Sequence, residues 1–324
     1  MIEKISRLRG GAGSVHRSIS ALAKVGLIAR VKEAKYDGYR LTYGGLDYLA
    51  LHTYAKKKEV YSVGDRVGVG KESDIMIVAD DTGTQRILKI HRLGRISFRS
   101  VKSNRDYLKK RQSGSWMYLS RLAAMKEFAF MKALHEEGLP VPEPFAQSRH
   151  TIVMSLIDAF PLRQIAEVPD PASLYGELIA LLLRLAKHGL IHGDFNEFNI
   201  LIKENITKSE EGEEVLTLEP VVIDFPQMVS MEHQNAEMYF DRDVNCIKRF
   251  FEEPVKLLHH GKSIRNVDHV RFAAGPAAVG VEVDGAAFVD ESPADNVWFL
   301  AVTAGGEPLG MSWRCTGLAH LVHV

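Results

Sequence analysis

Residues 192–199 have the sequence His-Gly-Asp-Phe-Asn-Glu-Phe-Asn, and an apolar run at residues 221–223 leads directly into Asp224. In phosphotransferases of the kinase fold, an Asp orients or deprotonates the nucleophile, while an Asn five residues later and a second Asp hold Mg²⁺. Mg²⁺ prefers hard oxygen ligands, and an Asn beside an Asp supplies two without crowding negative charge against a triphosphate. The order of Asp194, Asn199 and Asp224 therefore favours a phosphotransfer site over an ordinary turn.

A glycine-containing loop lies far upstream, where residues 68–74 read Gly-Val-Gly-Lys-Glu-Ser-Asp between two β-rich segments. It is not a Walker A loop, because Asp65 stands where the first glycine belongs and Glu72 where Ser or Thr would coordinate magnesium. The order of loop, strand and Lys89-bearing strand is that of a phosphate-covering kinase loop. A lysine in an apolar strand costs desolvation unless it is paired, and Glu127 is the natural carboxylate.

The first residues of the chain have the pattern of part of a winged helix. Apolar residues at helical spacing predict a helix over residues 14–26, with Ser14 as its cap. Two β-rich segments flank Asp37-Gly38 and predict a hairpin, and a further helix is expected over residues 46–54. A complete winged helix needs one or two more helices, and only about a dozen residues precede the first one. We therefore expect a truncated domain.

A run of lysines resembles a linker and sets the first domain boundary after residue 58. Residues 1–58 are then the partial winged-helix domain with its linker, and residues 59–252 are a kinase-like domain. This domain divides into an N-lobe at residues 59–154 and a C-lobe at residues 155–252, while residues 253–324 form a tail of unassigned fold. The predicted class is α+β: a bilobal, protein-kinase-like fold preceded by a truncated winged helix.

Several elements of the kinase-like domain follow from periodicity and from Gly and Pro punctuation. We expect strands at residues 62–67, 74–79, 85–90 and 151–157, and helices at residues 116–137 and from Pro171 onward, the last capped by Asp170. The buried stripe of the first of these helices is expected to contain Leu122, Met125, Phe128, Ala129 and Leu134. Residues 91–113 are strongly basic and are interpreted as a mobile segment, and the acidic residues 204–219 are interpreted as a surface loop.

The composition is that of a soluble globular protein, with 324 residues, 46% apolar, and 41 Lys plus Arg against 41 Asp plus Glu. The zero net charge hides a segregation, because basic residues outnumber acidic ones up to residue 111 and acidic ones outnumber basic ones after it. Two cysteines are too few for a disulfide scaffold, which favours a reducing compartment. We find no signal peptide or apolar membrane span, so no membrane partner is expected.

Three stretches resemble the RIO family of atypical kinases, and within it the type that carries an N-terminal winged helix: residues 68–74, 192–199 and 223–228. The similarity extends from about Arg9 to Phe251. It implies a bilobal RIO kinase fold with ATP between the lobes, and a role in late maturation of the small ribosomal subunit. The implied cofactors are ATP and Mg²⁺, and the implied partners are the pre-40S particle, small-subunit rRNA and ribosome assembly factors. The implied location is cytoplasmic, with shuttling through the nucleus left open.

The resemblance also assigns roles to residues. Asp194 is implied as the catalytic Asp, Asn199 and Asp224 as the Mg²⁺ ligands, and Asp224 in addition as a phosphoryl acceptor. Lys89 is implied to bind the α and β phosphates and Ser73 the γ end, while the backbone of Ser155 and Ile157 meets adenine. The implied nucleotide-binding residues are Gly68, Gly70, Lys71, Ser73, Lys89, Glu127, Ser155 and Ile157.

Two other classes of protein remain as alternatives. A small-molecule phosphotransferase of the aminoglycoside-kinase type shares a His-Gly-Asp loop and a later Ile-Asp pair, but the residues Phe195 to Glu197 and Pro226-Gln227 argue against it. A non-enzymatic winged-helix regulator would bind specific duplex DNA, whereas the RIO interpretation predicts rRNA binding with a strong salt dependence.

The basic residues between Arg92 and Arg111 generate a first prediction. Neutralising four of them should weaken RNA binding, because a side chain without charge no longer displaces a counterion from the phosphate that it meets. The slope of log affinity against log salt concentration should flatten by about 0.7 to 0.9 for each phosphate that is no longer neutralised. Filter binding over a salt series measures the slope, and an unchanged slope would show that the segment is only a solvated surface.

Overall fold

A computed structural model describes residues 9–31, 38–95, 114–165, 170–208, 214–252, 270–275 and 278–283, together with residues 5 and 168. The chain divides into two compact units. The first comprises Met1–Phe128 and Glu143–Leu156, and the second comprises Ala129–Pro142 and Ile157–Val324. Within the described ranges, none of the helices combines the length and the apolar character that crossing a bilayer requires.

The N-terminal segment folds as a helix, a hairpin and a second helix. Helix α1 spans Gly11–Lys24, strands β1 and β2 span Ile28–Val31 and Gly38–Leu41, and helix α2 spans Tyr43–Lys56. The strands pair antiparallel, which confirms the predicted hairpin. The predicted cap at Ser14 is wrong, because α1 begins one turn earlier and Gly10 occupies the cap position. Helix α2 is capped by Thr42, whose hydroxyl accepts a hydrogen bond from Gly45 N at 3.1 Å.

A five-stranded antiparallel sheet dominates the first unit, with the strand order β3-β4-β5-β7-β6. Its strands are β3 (Ser62–Val69), β4 (Ser73–Ala79), β5 (Gln85–His91), β6 (Pro144–Ser148) and β7 (Thr151–Ser155). The predicted strands at residues 62–67, 74–79 and 85–90 are confirmed. Apolar side chains of the sheet enclose Ala50 and Tyr54 of α2, both fully buried. The second N-terminal helix therefore belongs to the core of this sheet.

The basic segment after β5 is only partly described. His91 is buried at the end of β5, and Leu93 packs with Leu119 and Ala123 of the following helix, α3 (Trp116–Glu136). These first residues are therefore anchored, contrary to the interpretation as a mobile segment. Residues 96–113, which carry the rest of that prediction, lie outside the described residues.

The buried stripe of α3 differs from the apolar pattern. Of the predicted stripe only Leu134 is buried, and Met125 is exposed. One helical face is instead buried at Leu119, Ala123, Glu127, Phe130 and Leu134. A charged residue occupies the centre of this face, so a count of apolar residues alone places the stripe on the wrong side.

The second unit contains two long helices and several short sheets. Helix α4 (Pro171–Lys187) follows its cap Asp170, whose carboxylate accepts hydrogen bonds from two backbone N–H groups, and helix α5 spans Ala236–Glu252. The leucines that recur every three or four residues along α4 are all buried: Leu174, Leu178, Leu181, Leu182 and Leu185. Strand β9 (Leu190–Ile191) pairs with β12 (Val229–Ser230).

The predicted surface loop at residues 204–219 is wrong. Strands β10 (Ile200–Lys208) and β11 (Glu214–Val222) pair antiparallel over nine residues each, and β10 also pairs with β8 (Phe160–Pro161). Ile202, Ile206, Leu216 and Leu218 share one face of this hairpin, but the acidic residues at 210–214 give the segment the composition of a loop. Within the tail that had no assigned fold, strands β13 (Val270–Gly275) and β14 (Ala278–Val283) form another antiparallel pair.

Tyr54 generates a prediction about stability. Its hydroxyl lies 2.9 Å from Thr151 O and 2.8 Å from Thr151 Oγ1, and burial raises the pKa of Tyr54 to about 12. Replacing Tyr54 by Phe should lower the free energy of unfolding by about 1 kcal/mol or somewhat more, because it leaves buried polar atoms of Thr151 with fewer partners. Tyr48→Phe on the same helix is the matched control, since Tyr48 is exposed. Equal urea-denaturation midpoints for both variants would contradict the prediction.

Candidate active site

Lys89 and Glu127 form a buried ion pair in the first unit. Lys89 Nζ lies 2.6 Å from Glu127 Oε1, with Lys89 6% and Glu127 0% exposed. The predicted pairing is confirmed. Sequence inspection did not anticipate His91, which is also buried and whose Nε2 lies 2.8 Å from Glu127 Oε2. Because an unpaired buried charge costs several kcal/mol, the pair fixes how α3 lies against β5.

The glycine loop connects β3 and β4 as predicted. Gly68 lies in β3 opposite Ile75, and Gly70 N donates a hydrogen bond to Ser73 O at 2.8 Å, which closes the turn. Lys71 is exposed at its tip. Ser73 is the first residue of β4, where it pairs with His91, so its backbone is held more firmly than that of a loop residue. The loop thus presents a short, tight turn and an exposed lysine side chain.

The second unit holds Asp194 at the centre of a set of amide donors. Asn199 Nδ2 donates to Asp194 O at 2.9 Å and to Asp194 Oδ2 at 3.2 Å. Asn196 Nδ2 donates to Asp194 Oδ1 at 3.1 Å, and Gln227 Nε2 donates to Asp194 Oδ2 at 2.7 Å. The predicted Asp194 and Asn199 are therefore brought together, and both carboxylate oxygens are oriented by side-chain amides.

Asp243 on α5 anchors the loop that carries Asp194. Its two carboxylate oxygens accept hydrogen bonds from Gly193 N at 2.7 Å and from Phe195 N at 3.1 Å, and Asp243 is buried. The neighbouring Arg242 donates to Gly193 O. Gly193 has φ +76°, and a Cβ there would lie 2.9 Å from Gln227 O, so only glycine fits. The backbone on both sides of Asp194 is thus fixed from one helix.

Asp224 follows β11 in a strained conformation. Its φ is +72°, in the left-handed region that non-glycine residues rarely adopt. The preceding Ile223 N donates to Asn199 O at 3.0 Å, and Ile223 O accepts from His192 Nε2 at 3.2 Å. These contacts bring the start of β10 and the end of β11 together, so Asn199 and Asp224 belong to one site in the second unit.

Two predicted adenine contacts lie at and after the end of β7. Ser155 N donates to Glu143 O at 2.9 Å, and Ser155 Oγ accepts from Glu143 N at 2.9 Å. The amide and the hydroxyl of Ser155 are therefore engaged with Glu143, and its carbonyl is the group that could accept from a base. Ile157 follows two residues later and is half-buried.

Sequence reasoning missed the residues that hold the catalytic loop in place. Asn196 and Gln227 stand in the stretches that resemble the RIO family and Asp243 in the wider similarity up to Phe251, but the resemblance assigned no role to them. Asp243 carried a usable signal, because it lies three residues after Phe240 and four before Ile247 on the buried face of α5. A carboxylate on an apolar helix face requires partners. Gln227 offered no comparable signal.

A buried lysine-glutamate pair beside a glycine loop, and an Asp held near an Asn and a second Asp, are parts of phosphotransferases of the protein-kinase fold. That is the class that the two units define. The family model described as RIO domain matches residues 74–261, and a model described as Rio2, N-terminal, matches residues 1–57. The chain therefore belongs to the RIO kinase family, which confirms the resemblance and the α+β kinase-like class with its winged-helix domain.

Named relatives and solved structures agree. The serine/threonine-protein kinase rio2 of Schizosaccharomyces pombe is 58% identical over 253 residues, covering 78% of this chain and 70% of that protein. The RIO2 kinase of Saccharomyces cerevisiae is 52% identical over 257 residues, covering 79% of this chain and 59% of that protein. The Rio2 kinase-ADP/Mg²⁺-phosphoaspartate complex of Chaetomium thermophilum has 74% sequence identity and a TM-score of 0.69, over 81% of this chain and 76% of that one.

Asp243 generates a prediction about pH. Burial raises the pKa of Asp243 to about 6, although the N–H groups of Phe195 and Gly193 act in the opposite direction. A carboxyl group with a raised pKa stabilises the folded state below its unfolded pKa and loses that contribution as pH rises through the folded pKa. The chain should therefore lose stability relative to its Asp243→Asn variant between about pH 4 and pH 6, by about 3 kcal/mol at most.

Urea denaturation at several pH values measures this difference. Glu237→Gln is the control for the loss of one carboxylate from the same helix, because Glu237 lies exposed. A flat difference between the wild type and Asp243→Asn across this range would contradict the role of burial.

Proposed function

We propose that the chain transfers the γ-phosphoryl group of Mg²⁺-ATP to a protein Ser or Thr hydroxyl or to its own Asp224. The Lys89–Glu127 ion pair carries the proposal. Burying a lysine in a sheet costs desolvation free energy. The ion pair with Glu127 holds the Lys89 ammonium group in one place, as phosphate binding requires. Phosphoryl transfer depends mainly on such positioning and on charge neutralisation.

In this proposal most of the nucleotide contacts come from the first unit. Lys89 contacts the α and β phosphates, and the turn from Gly68 to Ser73 covers them with backbone N–H groups. The carbonyl of Ser155 and the amide of Ile157 meet adenine, which is compatible with the engagement of the Ser155 amide and hydroxyl by Glu143. The serine at this position has little effect on adenine recognition, because the base contacts backbone atoms.

Asn199 and Asp224 fit a Mg²⁺ site. The Asn199 amide nitrogen donates to Asp194, so its carbonyl oxygen is the atom left for a cation, and Asp224 adds a carboxylate. Bound Mg²⁺ supplies neutralisation of phosphate charge. The chain's own residues do the rest: Asp194, oriented by Asn196 and Gln227, aligns an attacking hydroxyl and accepts its proton.

Transfer to Asp224 is the second outcome. A carboxylate oxygen of Asp224 forms a bond to the γ phosphorus, the bond to the β-phosphate oxygen breaks, and ADP leaves. Water then cleaves the acyl phosphate to inorganic phosphate and restores Asp224. The strained backbone at Asp224 supports an unusual role for this residue. The phosphoaspartate of the Chaetomium thermophilum Rio2 complex supports the same step.

We further propose that the chain acts on the pre-40S ribosomal particle in the cytoplasm, with small-subunit rRNA and assembly factors as partners. The basic N-terminal part of the chain supports an RNA partner. The salt-slope measurement with rRNA tests this, and duplex DNA of matched length distinguishes a DNA regulator. Lys102, Arg105, Lys109 and Lys110 are the residues to neutralise, because Arg92 and Arg95 have carboxylate partners.

The two aspartates separate the two transfer reactions. Asp194→Asn should lower transfer to Ser or Thr by about two orders of magnitude or more, because the variant can neither accept the proton nor align the hydroxyl. Asp224→Asn should in addition abolish the hydroxylamine-sensitive acyl phosphate, while both variants still bind ATP. Asp81→Asn, in an exposed turn between β4 and β5, is the control. Phosphoryl transfer by Asp194→Asn and Asp224→Asn at nearly the wild-type rate would contradict the assignment of these residues to the catalytic site.

A further inference from the structure

Five ionisable side chains of the first unit form a connected network that the proposed chemistry does not use. We call it the Arg92 network, and its members are Asp47, Asp74, Arg92, Arg95 and His150. It starts on α2, inside the part of the chain that matches the Rio2 N-terminal model, and ends at the glycine loop between β3 and β4.

The first link joins α2 to the end of β5. Arg92 Nη2 lies 2.6 Å from Asp47 Oδ2, and Arg92 Nη1 lies 2.8 Å from Asp47 Oδ1, so the guanidinium group binds the carboxylate with both nitrogens. His150 Nε2 lies 2.7 Å from Asp47 Oδ1. Burial raises the pKa of Asp47, but the hydrogen bonds from His150 and Arg92 outweigh it and the net pKa is lowered. Asp47 is thus held in its charged form.

The second link joins Arg92 to the glycine loop. Arg92 Nε lies 3.3 Å from Asp74 Oδ2, and Arg92 N donates to Glu72 O at 2.5 Å. Arg95 Nη2 lies 2.6 Å from the same Asp74 oxygen, while Arg95 Nη1 donates to Gly70 O at 2.9 Å. The Arg95 side chain therefore holds the carbonyl of Gly70, and the Arg92 backbone amide holds the carbonyl of Glu72, on either side of the loop tip.

We propose that Asp47 is a positioning residue for nucleotide phosphates, acting through Arg92, Asp74 and Arg95 on the backbone of the glycine loop. The inference rests on the proposed function, in which this loop covers the phosphates. A peptide carbonyl that is fixed from outside the loop fixes the direction of the adjacent N–H groups, and these are the groups that a phosphate would meet. A residue of the N-terminal domain thereby tunes a site in the kinase domain.

The geometry favours this role over simple stabilisation of the fold. A bidentate guanidinium-carboxylate contact removes the rotational freedom that a single ion pair leaves. Arg92 then binds Asp74 with the nitrogen that Asp47 does not use. Removing the Asp47 carboxylate would free the Arg92 side chain to turn, and the Asp74 carboxylate and the hydrogen bond from Arg95 to Gly70 would loosen with it.

Binding measurements with ATP and with adenosine test the inference, since adenosine lacks phosphates. Asp47→Asn should weaken Mg²⁺-ATP binding about tenfold, or about 1.4 kcal/mol, and leave adenosine affinity unchanged in isothermal titration. Arg92→Lys, which keeps the charge but not the bidentate contact, should act in the same direction. Glu59→Gln is the matched control. Glu59 pairs with Arg86 at the opposite end of β5, and the substitution also removes one negative charge.

A double-mutant cycle adds a second readout. Asp47 and Arg95 share no contact that the structure gives, so independent decreases in ATP affinity would add. If both residues act on Gly70 through the same chain of contacts, Asp47→Asn should lower ATP affinity little further in an Arg95→Gln background.

An equal decrease in ATP and adenosine affinity, a decrease in ATP affinity matched by Glu59→Gln, or strict additivity would overturn the proposal and leave the network a structural one. A wild type that fails to bind ATP would instead overturn the proposed function, so the two failures are distinguishable.

Discussion

The first unit depends on one buried ion pair, between Lys89 on β5 and Glu127 on α3. Both residues are buried, and either charge alone would cost several kcal/mol in that position. This cost determines which face of α3 is buried in the first unit, and so the helix buries Glu127 together with Leu119 while Met125 is exposed. The need to pair Lys89 with a buried carboxylate therefore decides the buried face of α3, and the apolar pattern of the helix does not.

In the second unit the orientation of the Asp194 carboxylate depends on hydrogen bonds to its loop and to its side chain. Asp194 must keep its carboxylate in one orientation, and the loop around it is not part of a regular backbone ladder. Asp243, on the distant helix α5, fixes this loop by accepting hydrogen bonds from the backbone N–H groups of Gly193 and Phe195. The side-chain amides of Asn196, Asn199 and Gln227 then orient the carboxylate itself. A buried carboxylate on a rigid helix thus gives precision to a loop.

The sequence predicted those features whose cause is local. Helix α4 has its cap at Asp170 and its proline in the first turn, so its start was predictable, and a leucine every three or four residues forms its buried face. Hairpin β10–β11 pairs Ile206 with Leu216 on one face, but the acidic residues at 210–214 mask that alternation in the sequence. The pairing of Lys89 with Glu127 was predictable because a strand lysine has few alternatives. Gln227 reaches Asp194 only through tertiary folding.

The division of the chain into family domains differs from its division by packing. Family models match residues 1–57 and 74–261 separately, and a lysine run marks the expected linker between them. Yet Ala50 and Tyr54 are fully buried in the core of the five-stranded sheet, and Tyr54 is hydrogen-bonded to Thr151 of its β7 strand. A helix held by apolar burial at one point and by ion pairs of Asp47 at another cannot tilt freely against that sheet. Because β4 and β5 of the same sheet carry the glycine loop and Lys89, helix α2 is mechanically part of the unit that would hold the nucleotide.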